Sequence, residues 1–170
     1  MARSILITYA TKHGSTRQVA EVIAGTLDEQ GLGVHVAPAA DVHDLSTYDG
    51  VVLGTALYMG RPHADARRFL KRYHKALNAI PVAVFAMGPL TTGTDDVAGS
   101  KKQLDRALAT VSDLVPISTA IFGGVVDPAK LRFPFSHMDA SDARDWDIIA
   151  AWAHELAAAF GARELVGSAG

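Results

Sequence analysis

The chain contains no cysteine. That excludes disulfides, thiol redox chemistry and thiolate metal sites, so any oxidation or reduction must reside on a bound cofactor. No apolar run approaches the roughly 18 residues that a transmembrane helix needs, so no integral membrane segment is expected. The N-terminus enters a strand pattern directly and shows no signal-peptide core, and a cytoplasmic protein is expected. An excess of one charge is also missing: 16 Lys and Arg stand against 18 Asp and Glu, a formal net charge of −2. With no basic block of five or more, no nucleic-acid partner is expected. His63, His74, His137 and His154 show no metal-ligand spacing, and no metal site is assigned. Internal repeats and low-complexity tracts are lacking too.

What is there fits one domain: 170 residues, of which 49% are hydrophobic, enough for a well-buried core. Residues 3–9 read as a first strand. Residues 16–30 carry Val19, Val22, Ile23, Thr26 and Leu27 on one helical face, and Gly31 and Gly33 close that helix before a strand at 34–37. A connector, 38–50, leads to Val51–Thr55, a continuously apolar run suited to a parallel strand covered on both faces. Residues 56–62 read as a loop. The following helix places Ala66, Phe69, Leu70, Tyr73 and Leu77 inward, with Arg67, Arg68, Lys71, Arg72 and Lys75 around the other side. Those cations read as a solvated face, with docking of an acidic partner as the alternative. Residues 80–87 read as a strand, 88–96 as a polar loop, and Leu104, Ala107, Leu108 and Val111 mark a helix. A strand is expected over 115–126 and an irregular stretch over 127–140. Ser141 or Asp142 is the candidate cap of a last helix with Ile148, Ile149, Trp152, Leu156 and Phe160 on its face. Gly161–Gly170 reads as a frayed tail beyond a domain spanning 1–160.

Strands alternating with helices imply a parallel sheet covered on both faces. Right-handed crossovers and five strands favour the order 2-1-3-4-5. Ligands of such sheets sit beyond the strands' carboxyl ends, where the order reverses. The loops 11–16, 56–61 and 88–96 meet there. The first of them is the most informative. An apolar strand, Ile5–Tyr9, breaks into Thr11-Lys12-His13-Gly14-Ser15-Thr16 and turns into a helix. The first N–H groups of a helix have no intrahelical partner and carry the positive end of its dipole, so the loop suits an anion. Thr11, Ser15 and Thr16 supply hydroxyls, and Gly14 permits a positive φ. Lys12 and Arg17 offer charge or simply point into solvent. The loop is neither a Walker loop nor a Gly-x-Gly-x-x-Gly turn.

Thr11–Thr16 resembles the phosphate loop of the flavodoxin-domain family, a hydroxyl residue followed by x-x-Gly-x-Thr. Ile5–Gly25, Tyr48–Gly60, Phe69-Leu70-Lys71, Leu77-Asn78, Phe122-Gly123-Gly124 and Asp145-Trp146 are similar to the branch of that family that includes the menaquinone-dependent protoporphyrinogen oxidases of bacteria. The resemblance runs to about residue 160. It implies a three-layer α/β/α flavodoxin-like domain that binds FMN. Thr11, Lys12, His13, Gly14, Ser15 and Thr16 would hold the phosphate. Ala56, Leu57, Tyr58, Met59 and Gly60 would lie at the flavin ring, Tyr58 as its aromatic neighbour. Gly88, Pro89, Leu90 and Thr91 would lie along the ring's other side. In that branch a long basic and aromatic insertion precedes the last helix. Here the matching stretch, Lys130–Met138, is too short for an amphipathic membrane helix.

The expectation is therefore an FMN-dependent redox protein with its chemistry on the flavin. It would carry electrons between an unidentified donor and acceptor, or act on a quinone- or porphyrinogen-type substrate. Arg61, if directed at the flavin's N1–O2 edge, would raise the potential; directed at solvent it would not. The alternatives are a protoporphyrinogen oxidase proper and a flavin-free binding module on the same fold. A receiver domain is a poor variant of that module, because it needs a carboxylate pair at the end of strand one, where this chain has Thr8, Tyr9 and Ala10.

Overall fold

The computed structural model describes residues 3–11, 14–58, 61–88, 94–111, 114–123, 125–126, 141–142 and 145–168. Strand β1 (Ser4–Ala10) is followed by α1 (Ser15–Glu29), β2 (Gly33–Pro38), a one-turn 3₁₀ segment (Ala39–Asp41) and β3 (Gly50–Tyr58). Then come β4 (Arg61–Pro62), α2 (Ala64–Arg72), α3 (His74–Ala79), β5 (Val82–Met87), α4 (Thr94–Val111) and β6 (Ser118–Phe122). A small antiparallel pair, β7 (Val125–Val126) with β8 (Ser141–Asp142), precedes α5 (Trp146–Ser168).

The five long strands form a parallel sheet in the order β2-β1-β3-β5-β6. Counting these five alone, this is the expected 2-1-3-4-5. Strand side chains alternate faces, so β1 divides between two cores. Ile5, Ile7 and Tyr9 join α1 and α5 on one side. Leu6 and Ala10 join α2, α3 and α4 on the other. Full burial of a side chain such as Phe85 or Phe160 contributes about 2–3 kcal/mol each, and both are 0% exposed. Gly54 in β3 exists because of this packing: a Cβ there would stand 2.1 Å from the Phe85 ring. Phe85, Phe122 and Trp152 pack ring against ring at 5.6–6.0 Å, and Trp152 donates its indole N–H to Ser118 Oγ at 2.9 Å.

Several boundaries differ from expectation. Residues 56–58 continue β3, and 61–62 return antiparallel to it, with Leu57 opposite Pro62 and Tyr58 opposite Arg61. The expected loop 56–62 is therefore largely a hairpin. Proline is tolerated on so short an edge strand because no ladder donor is needed there. The helix expected through Leu77 breaks at Tyr73, whose φ of −108° lies outside helical geometry and whose hydroxyl donates to the Val42 carbonyl at 2.7 Å. The expected strand 115–126 shortens to Ser118–Phe122, with Val125–Val126 pairing elsewhere. Ser141 and Asp142 belong to β8. Asp145 caps α5 instead, its Oδ1 accepting from the N–H groups of Asp147 and Ile148 at 3.1 and 3.2 Å. Helix α5 runs on to Ser168, through most of the stretch read as a tail.

Candidate functional site

Register places the carboxyl ends of the central strands side by side. Ala10 stands opposite Thr55, Thr55 opposite Ala86, and Ala56 opposite Met87. The sheet order reverses between β1 and β3, so the segments leaving these strands bound a crevice. Thr11, Gly14 and Ser15 form one wall, Ala56 and Leu57 the middle, and Gly88 the far side, all of them half-buried. Gly88 is fixed by donating its N–H to the Phe122 carbonyl at 2.8 Å.

Gly14 precedes α1 in the left-handed region, φ 89°. A Cβ there would meet nothing within 4 Å, so the glycine serves the backbone turn rather than a close approach. Its N–H is taken by Thr11 Oγ1 at 3.1 Å, which braces the loop across its base. Beyond that point α1 has no side-chain cap and no acidic residue in its first turn. Thr16, in that turn, is fully buried, and its hydroxyl has no hydrogen-bond partner among the described residues. A buried hydroxyl without a partner costs on the order of 1–3 kcal/mol. An uncapped helix start beside such a hydroxyl suits a phosphate, which accepts from both.

The middle wall of the crevice is anchored by Thr55, the last residue of the run Val51–Thr55. Thr55 is 1% exposed. Its Oγ1 accepts from the His63 N–H at 3.0 Å and donates to the Ala56 carbonyl at 3.1 Å. One hydroxyl thus ties β3 to the far foot of the β3–β4 hairpin. His63, to which the sequence assigns no role, caps α2: its Nδ1 accepts from the Asp65 N–H at 3.1 Å. The signal available in sequence was a polar residue just before a helical pattern, followed by an acidic residue in the first turn.

Among the expected site residues, Thr11, Gly14, Ser15, Thr16, Ala56, Leu57, Tyr58 and Gly88 come together at this end of the sheet, with Tyr58 placed by its backbone pairing to Arg61. Lys12, His13, Met59, Gly60, Pro89, Leu90 and Thr91 lie outside the described residues, as do 127–140, which include Lys130–Met138. Arg17, a possible cation for the anion, instead donates from Nε to Glu21 Oε1 at 2.9 Å on the exposed face of α1. Arg61 is exposed. No helix among the described residues is long and apolar enough to cross a membrane.

Comparison with known proteins agrees with this fold. The model of the flavodoxin domain family matches residues 6–138. Protoporphyrinogen IX dehydrogenase [quinone] of Escherichia coli K12 is 24% identical over 169 residues, covering 89% of this chain and 93% of that protein. The protein of the same name from Leishmania major is 26% identical over 131 residues, covering 75% of this chain and 57% of its own length. Among solved structures, a mutant flavodoxin from Pseudomonas aeruginosa superimposes with a TM-score of 0.61 at 17% identity, covering 93% of this chain and 99% of that one.

Proposed function

The chain belongs to the flavodoxin domain family, and on that premise we propose that it is an FMN-dependent redox protein acting on a quinone- or porphyrinogen-type substrate. The observation that carries the reading is the start of α1: an uncapped helix end with a buried, unpartnered Thr16 hydroxyl beside it. That pair of features fits a phosphate monoester. Thr11 through Thr16 would hold it, mainly through backbone N–H groups and the Ser15 and Thr16 hydroxyls. The Ala56–Gly60 segment would meet the ring, with Tyr58 against it, and Gly88–Thr91 would close the opposite side. FMN supplies reversible one- or two-electron chemistry when bound. The protein's part is to bind, orient and shield it. The Thr55–His63 tie keeps the hairpin from opening away from the ring. A positive charge from Arg61 near the flavin's N1–O2 edge would raise the midpoint potential, and Arg61→Ala lowers it if that placement holds. An unchanged potential puts Arg61 in solvent.

Two relatives named as protoporphyrinogen IX dehydrogenases support an enzyme with its own substrate over a simple carrier of electrons. The test is the visible spectrum of the purified protein after reconstitution with FMN and removal of the excess, followed by turnover of protoporphyrinogen with a soluble quinone. Retained flavin bands with turnover in the absence of a protein partner support the reading. A colourless protein with no FMN-dependent rise in Tm refutes it and leaves a flavin-free binding module.

A further inference from the structure

A second concavity lies between the Ala39–Asp41 turn and α2, with a volume of about 180 Å³. Its apolar lining comes from Ala39, Val42, Phe69 and Tyr73, and its polar lining from Arg68, Arg72 and Asp65. We propose that this groove is a carboxylate-binding subsite, which receives a carboxyalkyl arm of a tetrapyrrole substrate between Arg68 and Arg72. The proposal rests on the porphyrinogen-class reading above and assigns the acid groups of that class to residues.

The groove is built rather than incidental. Arg72 lies over the Tyr73 ring, its guanidinium carbon 5.4 Å from the centroid, and this stacking limits the rotamers it loses on binding an anion. Tyr73 is itself held by its hydroxyl on the Val42 carbonyl and by packing against Phe69 at 5.2 Å. Arg68 is compensated by Asp65 at 3.2 Å. Among the described residues Arg72 has no carboxylate partner. Two guanidinium groups against one carboxylate leave the groove with an excess positive charge over an apolar floor, which matches a carboxylate on a short hydrocarbon arm. The surrounding segment, residues 61–79, holds six Lys and Arg against one Asp in a chain whose net charge is −2, so the local field draws anions to this face.

Position supports the assignment. Pro38, which leads into the turn, is the register partner of Tyr9, two residues before Thr11. Helix α2 starts two residues after the β3–β4 hairpin. Ala39 and Ala40 of the groove thus follow the carboxyl end of β2, the end of the sheet at which the crevice lies. A quinone carries no carboxylate, so the groove separates one substrate from the other.

The test is a fluorescence titration of the full-length protein, reconstituted with FMN, using protoporphyrin IX and its dimethyl ester at low and moderate salt. Wild type is expected to bind the diacid about tenfold more tightly than the diester, a preference that shrinks with salt. Arg68→Gln/Arg72→Gln should weaken the diacid about tenfold and leave the diester unchanged. Ala40→Leu, which narrows the groove without changing charge, should weaken the diacid as well. Equal binding of the diacid by wild type and the double variant overturns the subsite while leaving the substrate class standing. A wild type that retains FMN but binds neither porphyrin overturns both the subsite and the porphyrinogen reading.

Discussion

Helices α1 and α2 leave the same end of the same sheet, yet their first turns are finished differently. At α2 the chain supplies its own acceptor, His63 Nδ1 on the Asp65 N–H, and places Asp65 in the first turn. Helix α5 does likewise with Asp145 as cap and Asp147 in the first turn. At α1 neither device is present. Thr11 braces the turn, Gly14 reverses it, and the helix start beyond has no side-chain cap. Filled helix ends serve stability, since a cap is worth about 1 kcal/mol and an acidic residue in the first turn about 0.3–1 kcal/mol. An end left unfilled forgoes that stability and is compensated when an anion arrives from outside.

If the contrast is functional, substitutions at α1 should move binding and stability in opposite directions. The largest effect is expected from Ser15→Asp, which supplies α1 with its own anion. FMN affinity should fall roughly a hundredfold, the equivalent of two charge-assisted hydrogen bonds, while the flavin-free protein gains about 0.5 kcal/mol in urea unfolding. Thr16→Val comes next. Removing an unpartnered buried hydroxyl should stabilise the flavin-free protein by about 1 kcal/mol, while the lost donor weakens FMN about tenfold. Fluorescence titration and denaturant unfolding check both signs, and a Thr16→Val protein that binds FMN normally removes this residue from the phosphate site.

The capped helices should respond in the conventional way. Asp145→Ala should cost about 1 kcal/mol through lost capping of α5, with FMN affinity unchanged. His63→Ala should cost a smaller amount, about 0.5 kcal/mol, because the neighbouring Thr55 bond uses the His63 main chain and survives. A large loss of FMN affinity in Asp145→Ala would show that the contrast between helix ends is not what sets binding.

Much of this was legible in the sequence because local and tertiary preferences agree there. Ile5–Ile7 and Val51–Leu53 are apolar without a break because both faces of the sheet are covered. Gly31 marks the end of α1, and its φ of 89° shows why glycine stands there. The candidate site was legible at the loop after β1, where hydroxyls and glycine cluster within six residues. It was less so at the β3–β4 side. The β3–β4 pairing depends on Leu57 and Tyr58 meeting Pro62 and Arg61, and no periodicity survives over two residues. The break at Tyr73 was hidden because Phe69, Leu70, Tyr73 and Leu77 keep helical spacing across it. At the break the Tyr73 hydroxyl bonds 31 residues away, to the Val42 carbonyl. The Ala39–Tyr73 groove was illegible for the same reason, being assembled from segments far apart in the chain.

The central claim, that the start of α1 is kept open for a phosphate, is tested most directly by comparing FMN with riboflavin, which has the same ring and no phosphate. The account predicts that the protein binds FMN at least a hundredfold more tightly, on the scale of two charge-assisted hydrogen bonds, and that inorganic phosphate competes with FMN. Equal affinity for the two flavins would contradict it.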